Sequence, residues 1–162
     1  MLERDGYEQF SGNSIVPINT KTTSTIVTTL KSIGAVFAGL LAITVLSVGA
    51  DLVMHATGIY PPWGEPMADS KFALATGYRT VFAIAGSYLS AGLAPVKPMH
   101  HAIALGIVGV VFSLIGTIAT WNGGPEYGRK WYPITLILIS IPCGWLGGKL
   151  QQKISERRHS KP

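Results

Sequence analysis

Three ionisable side chains stand inside long apolar stretches of this sequence, and they are the residues best placed to carry chemistry. Asp51 and His55 are four residues apart near the end of the first apolar run, and Arg79 interrupts the second. Side chains four residues apart share one face of a helix. A carboxylate, an imidazole and a guanidinium held together can relay protons or bind an anion, because histidine titrates near neutral pH and arginine presents paired donors.

Helices must position these residues, because the runs around them are long and almost uncharged. Of the 162 residues, 48% are hydrophobic and 13% are charged, whereas soluble domains usually contain about 25% charged residues. Apolar runs of roughly 18 or more residues are typical of membrane-crossing helices. The sequence therefore predicts a single all-α domain, an integral membrane four-helix bundle in contact with the lipid bilayer.

The loops divide this bundle into four predicted helices, at residues 32–56, 72–94, 101–121 and 131–148. A polar segment, residues 1–31, precedes the membrane domain at 32–148, and a basic segment, residues 149–162, follows it. Both segments are predicted to be cytoplasmic tails. The sequence Val48-Gly49-Ala50 resembles the cleavage site of a signal peptide, but the apolar run exceeds the usual ~7–15 residues. We therefore favour an uncleaved first helix.

Lys and Arg residues are distributed unequally between the two predicted sides. The side that holds both termini contains nine of them: Arg4, Lys21, Lys31, Lys97, Lys149, Lys153, Arg157, Arg158 and Lys161. The other side contains three, Lys71, Arg129 and Lys130. Because cytoplasmic loops of membrane proteins are enriched in Lys and Arg, both termini are predicted to be cytoplasmic. The aromatic loops at 57–71 and 122–130 then face outward.

Asp51 and Arg79 are predicted to lie at similar depths, ~9 and ~12 Å from the outer ends of their helices at ~1.5 Å per residue. A lone charge at such a depth costs a few kcal/mol, so opposite charges at a similar depth favour an ion pair between the first two helices. Two interpretations stay open. Either the pair fixes the helix register while His55 is hydrated at the interface, or Asp51, His55 and Arg79 together move protons or bind an anion.

Small residues recur at steps of three or four along the third helix and are predicted to let neighbouring helices approach closely. The set comprises Ala102, Gly106, Gly109, Ser113, Gly116 and Thr120. A polar stripe on the first helix, Thr44, Ser47, Asp51 and His55, has the same spacing. It is either a packing face or the wall of a polar cavity.

No catalytic motif, cofactor site or metal site is predicted, so the sequence favours a protein that is not an enzyme. His100 and His101 are adjacent and point in different directions on a helix, whereas a metal site needs convergent ligands. Cys143 is the single cysteine and cannot form an intrachain disulfide. The basic segment at 149–161 is predicted to contact anionic lipid headgroups rather than nucleic acid.

The second half of the chain contains Trp121-Asn-Gly-Gly-Pro, Trp131-Tyr-Pro and Leu146-Gly-Gly148. This half resembles the last two helices of small, uncharacterised four-helix proteins of the bacterial inner membrane, and the resemblance implies that location. Transporters of the small multidrug-resistance type are similar in size, but they place a glutamate deep in the first helix, and this helix has none.

Among functions, the sequence favours a structural or accessory membrane component, which binds a membrane-protein partner or a second copy of itself. A small transporter or channel that uses the Asp51, His55 and Arg79 cluster is the alternative.

Overall fold

A computed structural model describes residues 20–160 as an all-helical protein. Its four long helices are α1 (Thr20–Ala56), α2 (Asp69–Leu93), α3 (Pro98–Thr120) and α4 (Trp131–His159). A short 3-10 helix, Pro125–Tyr127, lies in the loop before α4. The number and order of the helices are those that the sequence predicts.

Two helices are longer than their apolar runs suggest. α1 begins at Thr20 rather than near residue 32, and the part of the predicted polar tail that precedes Thr20 lies outside the described residues. The hydroxyl groups of Thr28 and Thr29 donate to the carbonyl groups four residues earlier, which satisfies these polar side chains within a helix. α4 continues to His159, because residues 149–158 are rich in Lys, Gln, Glu and Arg, which favour helix.

Backbone conformation at the loops explains where the helices stop and start. Gly58 adopts a φ of 73° directly after α1, where the left-handed conformation commonly ends a helix. Lys97 also has a positive φ, 47°, and Pro98 follows it at the first position of α3, where proline is favoured. The α2–α3 connection is consequently a tight turn, whereas the α1–α2 connection is a longer loop.

α2 is the central helix, because it packs against each of the other three. α3 and α4 share an extensive interface, while α1 packs along α2 and contacts α3 only lightly. Glycine pairs set the closest approaches. A Cβ atom added at either Gly39 or Gly86 would stand 2.7 Å from the carbonyl oxygen of the other. A Cβ atom added at Gly144 would stand 2.8 Å from the Ala102 carbonyl oxygen, so α3 and α4 meet equally closely.

The outer surface of this bundle is apolar. Large hydrophobic side chains are exposed along α1, α3 and α4, among them Phe37, Leu41, Phe112, Ile118 and Leu138. These three helices are long and apolar enough to cross a membrane. α2, which carries Asp69, Lys71 and Arg79 and several Gly, Ser and Thr residues, is not among the three.

Candidate functional site

An ion pair joins α1 to α2. Asp51 lies in the last two turns of α1, and Arg79 lies near the middle of α2. Arg79 Nη2 is 2.6 Å from Asp51 Oδ2, and the two side chains retain 32% and 19% of their exposure. The pair that opposite charge and similar depth predict is therefore present, and it is only partly accessible.

Two tyrosines form hydrogen bonds with this pair, and a third tyrosine extends the network. The Tyr78 hydroxyl donates to the second carboxylate oxygen of Asp51. Arg79 Nη1 donates to the Tyr132 hydroxyl oxygen over 2.6 Å, and Tyr132 belongs to the first turn of α4. Tyr60, from the loop after α1, places its hydroxyl 3.4 Å from that of Tyr78. The resulting polar network connects α1, α2, α4 and one loop.

His55 lies outside this network, although it is one helical turn from Asp51. Its Nδ1 is 2.6 Å from the Pro61 carbonyl oxygen, and its ring stacks on Trp63 at 3.7 Å between centroids. A carbonyl oxygen can only accept, so Nδ1 carries the proton in this bond. His55 therefore fixes the loop against the end of α1, and it neither pairs with Asp51 nor contacts Arg79 through a hydrogen bond.

Two cavities meet at the ion pair, and we call them the inner and the outer cavity. The inner cavity, about 390 Å³, lies among all four helices. The outer cavity has a similar volume, about 390 Å³, and lies beneath the two aromatic loops. Asp51 and Arg79 line both cavities, whereas His55 lines only the outer one. The polar stripe on α1 divides in the same way, because Thr44 and Ser47 line the inner cavity.

Four of the six small residues singled out on α3 have different environments. Gly106 and Gly109 face α4, where a Cβ atom would stand 3.0 Å and 3.3 Å from Ser140 atoms. Ser113 lines the inner cavity. Gly116 is exposed. Apart from its two chain neighbours and the nearby backbone of α3, no heavy atom among residues 20–160 lies within 4 Å of a Cβ added there. Gly116 therefore does not belong to the close contact between α3 and α4 that Gly106 and Gly109 form.

Among residues 20–160, no group of three or more His, Cys, Asp or Glu side chains is placed to hold a metal ion. His101 approaches the Lys97 carbonyl oxygen at 3.3 Å, and the neighbouring His100 is exposed. Cys143 is buried as a free thiol.

Comparisons with protein-family models, with curated proteins and with solved structures found no match to this chain.

Sequence reasoning missed Tyr78 and Tyr132 as partners of the ion pair. Tyr132 follows the aromatic loop at 122–130, where tyrosine commonly marks a membrane interface. The available signal was the hydroxyl group itself, because a buried tyrosine hydroxyl usually finds a hydrogen-bond partner. Tyr78 directly precedes Arg79 and therefore also lies close to the α1–α2 contact.

Proposed function

We propose that this chain is an integral protein of the bacterial inner membrane that crosses it four times and serves as a structural or accessory component. The apolar outer surface of α1, α3 and α4 supports the membrane location. Membrane helices associate through close packing of small residues and through polar contacts, and both are present between α1 and α2. In this proposal α2 is the fourth crossing helix. Its Arg79 is paired with Asp51, and α2 packs against the other three helices.

The polar network around Asp51 and Arg79 is the single observation that carries the accessory role. Both carboxylate oxygens of Asp51 have partners, and both terminal nitrogens of Arg79 have partners. A charge pair satisfied in this way fixes the relative positions of the helices and leaves little capacity to exchange ions. α1 meanwhile exposes most of its apolar surface, which suits contact with lipid or with a partner helix.

Extraction in a mild detergent, followed by identification of copurifying proteins, tests this role. We expect a defined membrane protein, or a second copy of this chain, to copurify with the wild type. A Phe37→Ala and Leu41→Ala double variant on α1 should lose that partner. Leu138→Ala, an equally exposed position on α4, is the matched control and should retain it. Purification of the wild type as a monomer with lipid alone would contradict the accessory role.

Both termini are proposed to be cytoplasmic, on the strength of the Lys and Arg distribution. Reporter fusions at residues 65 and 126 should report an outside location, and fusions at 97 and 160 should report an inside location. An inside signal at residue 65 would overturn the proposed arrangement.

The basic end of α4 is proposed to bind anionic headgroups, each nearby Lys or Arg contributing about 1 kcal/mol. A synthetic peptide of residues 146–162 should bind vesicles that contain anionic lipid and should be released by salt. Equal binding to neutral vesicles would contradict an electrostatic attraction.

A small transporter is the second candidate, and one observation favours it: the ion pair separates two cavities of similar volume. A gate between two compartments has this arrangement. Proton and chloride flux in liposomes would test the idea. A transporter should lose its flux in Asp51→Asn and keep it in Asp69→Asn, whose carboxylate lies in the exposed pair with Arg129. Wild-type liposomes without flux of either ion would exclude a proton or chloride pathway.

A further inference from the structure

The inner cavity has an apolar end and a polar end. It follows α1 from Leu40 to Asp51, a distance of about 16 Å at ~1.5 Å per residue. Leu40, Ile43 and Leu105 line the apolar end. Its volume of about 390 Å³ falls within the range of ligand pockets, roughly 300–1,000 Å³. A molecule that fills it would be elongated, mostly apolar and polar at one end.

Arg79 forms the polar end of the cavity, and one of its donors has no partner among the described residues. Arg79 Nε is buried, and no acceptor for it is found among residues 20–160. Arginine nitrogens donate and cannot accept, so the complementary group on a ligand is an acceptor oxygen. The hydroxyl groups of Ser47 and Ser113 also line this cavity and add polar contacts.

The charge balance at the polar end selects a neutral ligand. The guanidinium of Arg79 is already compensated by the carboxylate of Asp51. An anionic head would therefore bring an uncompensated negative charge into a mostly apolar cavity, and burying an unpaired charge is costly. A neutral carbonyl group can accept a hydrogen bond from the guanidinium without that cost.

The entrance of the cavity faces the apolar surface of the bundle. Val48 on α1 and Phe112 on α3 line the cavity and are also exposed. Between Val48 and Phe112, α1 does not seal the cavity. It contacts α3 only lightly and has no extended contact with α4 among the described residues. A ligand would consequently enter from an apolar phase, between α1 and α3.

We propose that the inner cavity is a binding site for a neutral, lipid-soluble molecule that carries a carbonyl head and an unbranched apolar tail. The carbonyl accepts a hydrogen bond from the Arg79 guanidinium, and the tail extends along α1 toward Leu40. This site adds a ligand to the proposed accessory role, and it is independent of the direction in which the chain crosses the membrane.

Binding of a radiolabelled decyl-benzoquinone to the purified full-length chain in detergent micelles tests the site. We expect saturable binding that is at least about tenfold weaker, a change of ~1.4 kcal/mol, in Ala83→Leu, because Ala83 lines the cavity. Ala85→Leu makes the same change at an exposed position of the same helix and should bind within about twofold of the wild type. Equal binding by both variants and the wild type would show micelle partitioning only and would overturn the site.

Competition separates the roles of head and tail. Decylbenzene, which has no acceptor, should compete roughly 3- to 10-fold less well than decyl-benzoquinone, as the loss of one hydrogen bond predicts. Decanoate should also compete less well, because its charge is uncompensated. Tighter competition by decanoate would overturn the neutral head, and Arg79→Lys should abolish the preference for the quinone over decylbenzene.

A photoreactive probe keeps the proposal testable if Ala83→Leu or Arg79→Lys does not fold. A decyl-benzoquinone with a diazirine at the end of its tail should label wild-type residues around Leu40 and Ile43. Labelling confined to other surfaces, such as the exposed side chains of α4, would contradict the proposed orientation of the ligand.

Discussion

α1 and α2 share an interface but have opposite surroundings. α1 is the longest of the described helices, and only 11% of its most apolar 18-residue stretch is buried. α2 is more polar and contacts all of the other helices, and it buries Ser87 and Ser90. Small and polar side chains thus make up most of the interior of the bundle, and most large apolar side chains lie outside it. That distribution is the reverse of a soluble core and is expected when small and polar contacts, rather than expulsion of water, hold helices together.

The largest effect should come from leaving one charge of the α1–α2 ion pair without its partner. Arg79→Gln strands the Asp51 carboxylate and should lower the free energy of unfolding by about 3 kcal/mol, the low end for a buried pair, since the pair is partly exposed. Unfolding by SDS in mixed micelles, followed by circular dichroism, measures the loss. Arg129→Gln, in a pair whose side chains are 78% and 46% exposed, should change it by less than about 0.5 kcal/mol.

The double variant with Asp51→Asn should recover part of this loss, because no charge is then left unpaired. A double variant no more stable than the weaker single variant would show that the two residues act independently.

Truncation of leucine should separate the two environments next. Leu105→Ala, at a buried position of α3 that lines the inner cavity, should cost about 2 kcal/mol. Leu41→Ala, on the exposed face of α1, should cost less than about 0.5 kcal/mol, since detergent replaces lipid around it. The same SDS titration measures both. Equal losses would mean that α1 is packed against something in the purified state.

Glycine substitutions within α2 should differ in sign. Gly86→Ala places a Cβ atom 2.7 Å from the Gly39 carbonyl oxygen and should destabilise the protein by about 1–3 kcal/mol, as overpacking does. At Gly77 no heavy atom outside its own helix turn lies within 4 Å among the described residues, and Gly77→Ala should stabilise the helix by roughly 0.5–1 kcal/mol. Thermal unfolding in one detergent measures both variants. If Gly86→Ala were no less stable than Gly77→Ala, α1 and α2 would lie farther apart than the contact between Gly39 and Gly86 indicates.

The smallest effect should come from the contact between α2 and α4. Tyr132→Phe removes the hydroxyl that accepts a hydrogen bond from Arg79 Nη1 and should cost about 1 kcal/mol. Tyr127→Phe, at an exposed tyrosine of the same end, is the control and should be neutral in the SDS titration. A neutral result for Tyr132→Phe would show that the ion pair alone orients Arg79.

The sequence predicts the parts of this structure that depend on hydrophobicity and charge. The apolar runs identify four helices, and the isolated Asp51 and Arg79 indicate their own pairing. The sequence did not predict the helix ends where polar residues continue a helix. The first turns of α1, before residue 32, are an example. The partner of His55 was not predicted, because the spacing along a helix does not reveal that the Pro61 carbonyl oxygen of the loop lies within hydrogen-bond distance. The position of that carbonyl group depends on how the chain turns after Ala56.

The unequal lengths of the helices have a consequence at the end that holds both termini. α1 contains 37 residues and α4 contains 29, which makes them about 56 and 44 Å long at ~1.5 Å per residue. The hydrocarbon layer of a bilayer is only about 30 Å thick. In the proposed orientation, α1 and α4 therefore project into the cytoplasm as two separate helices. Each projecting end carries Lys or Arg, so both ends present cationic side chains that attract an acidic surface.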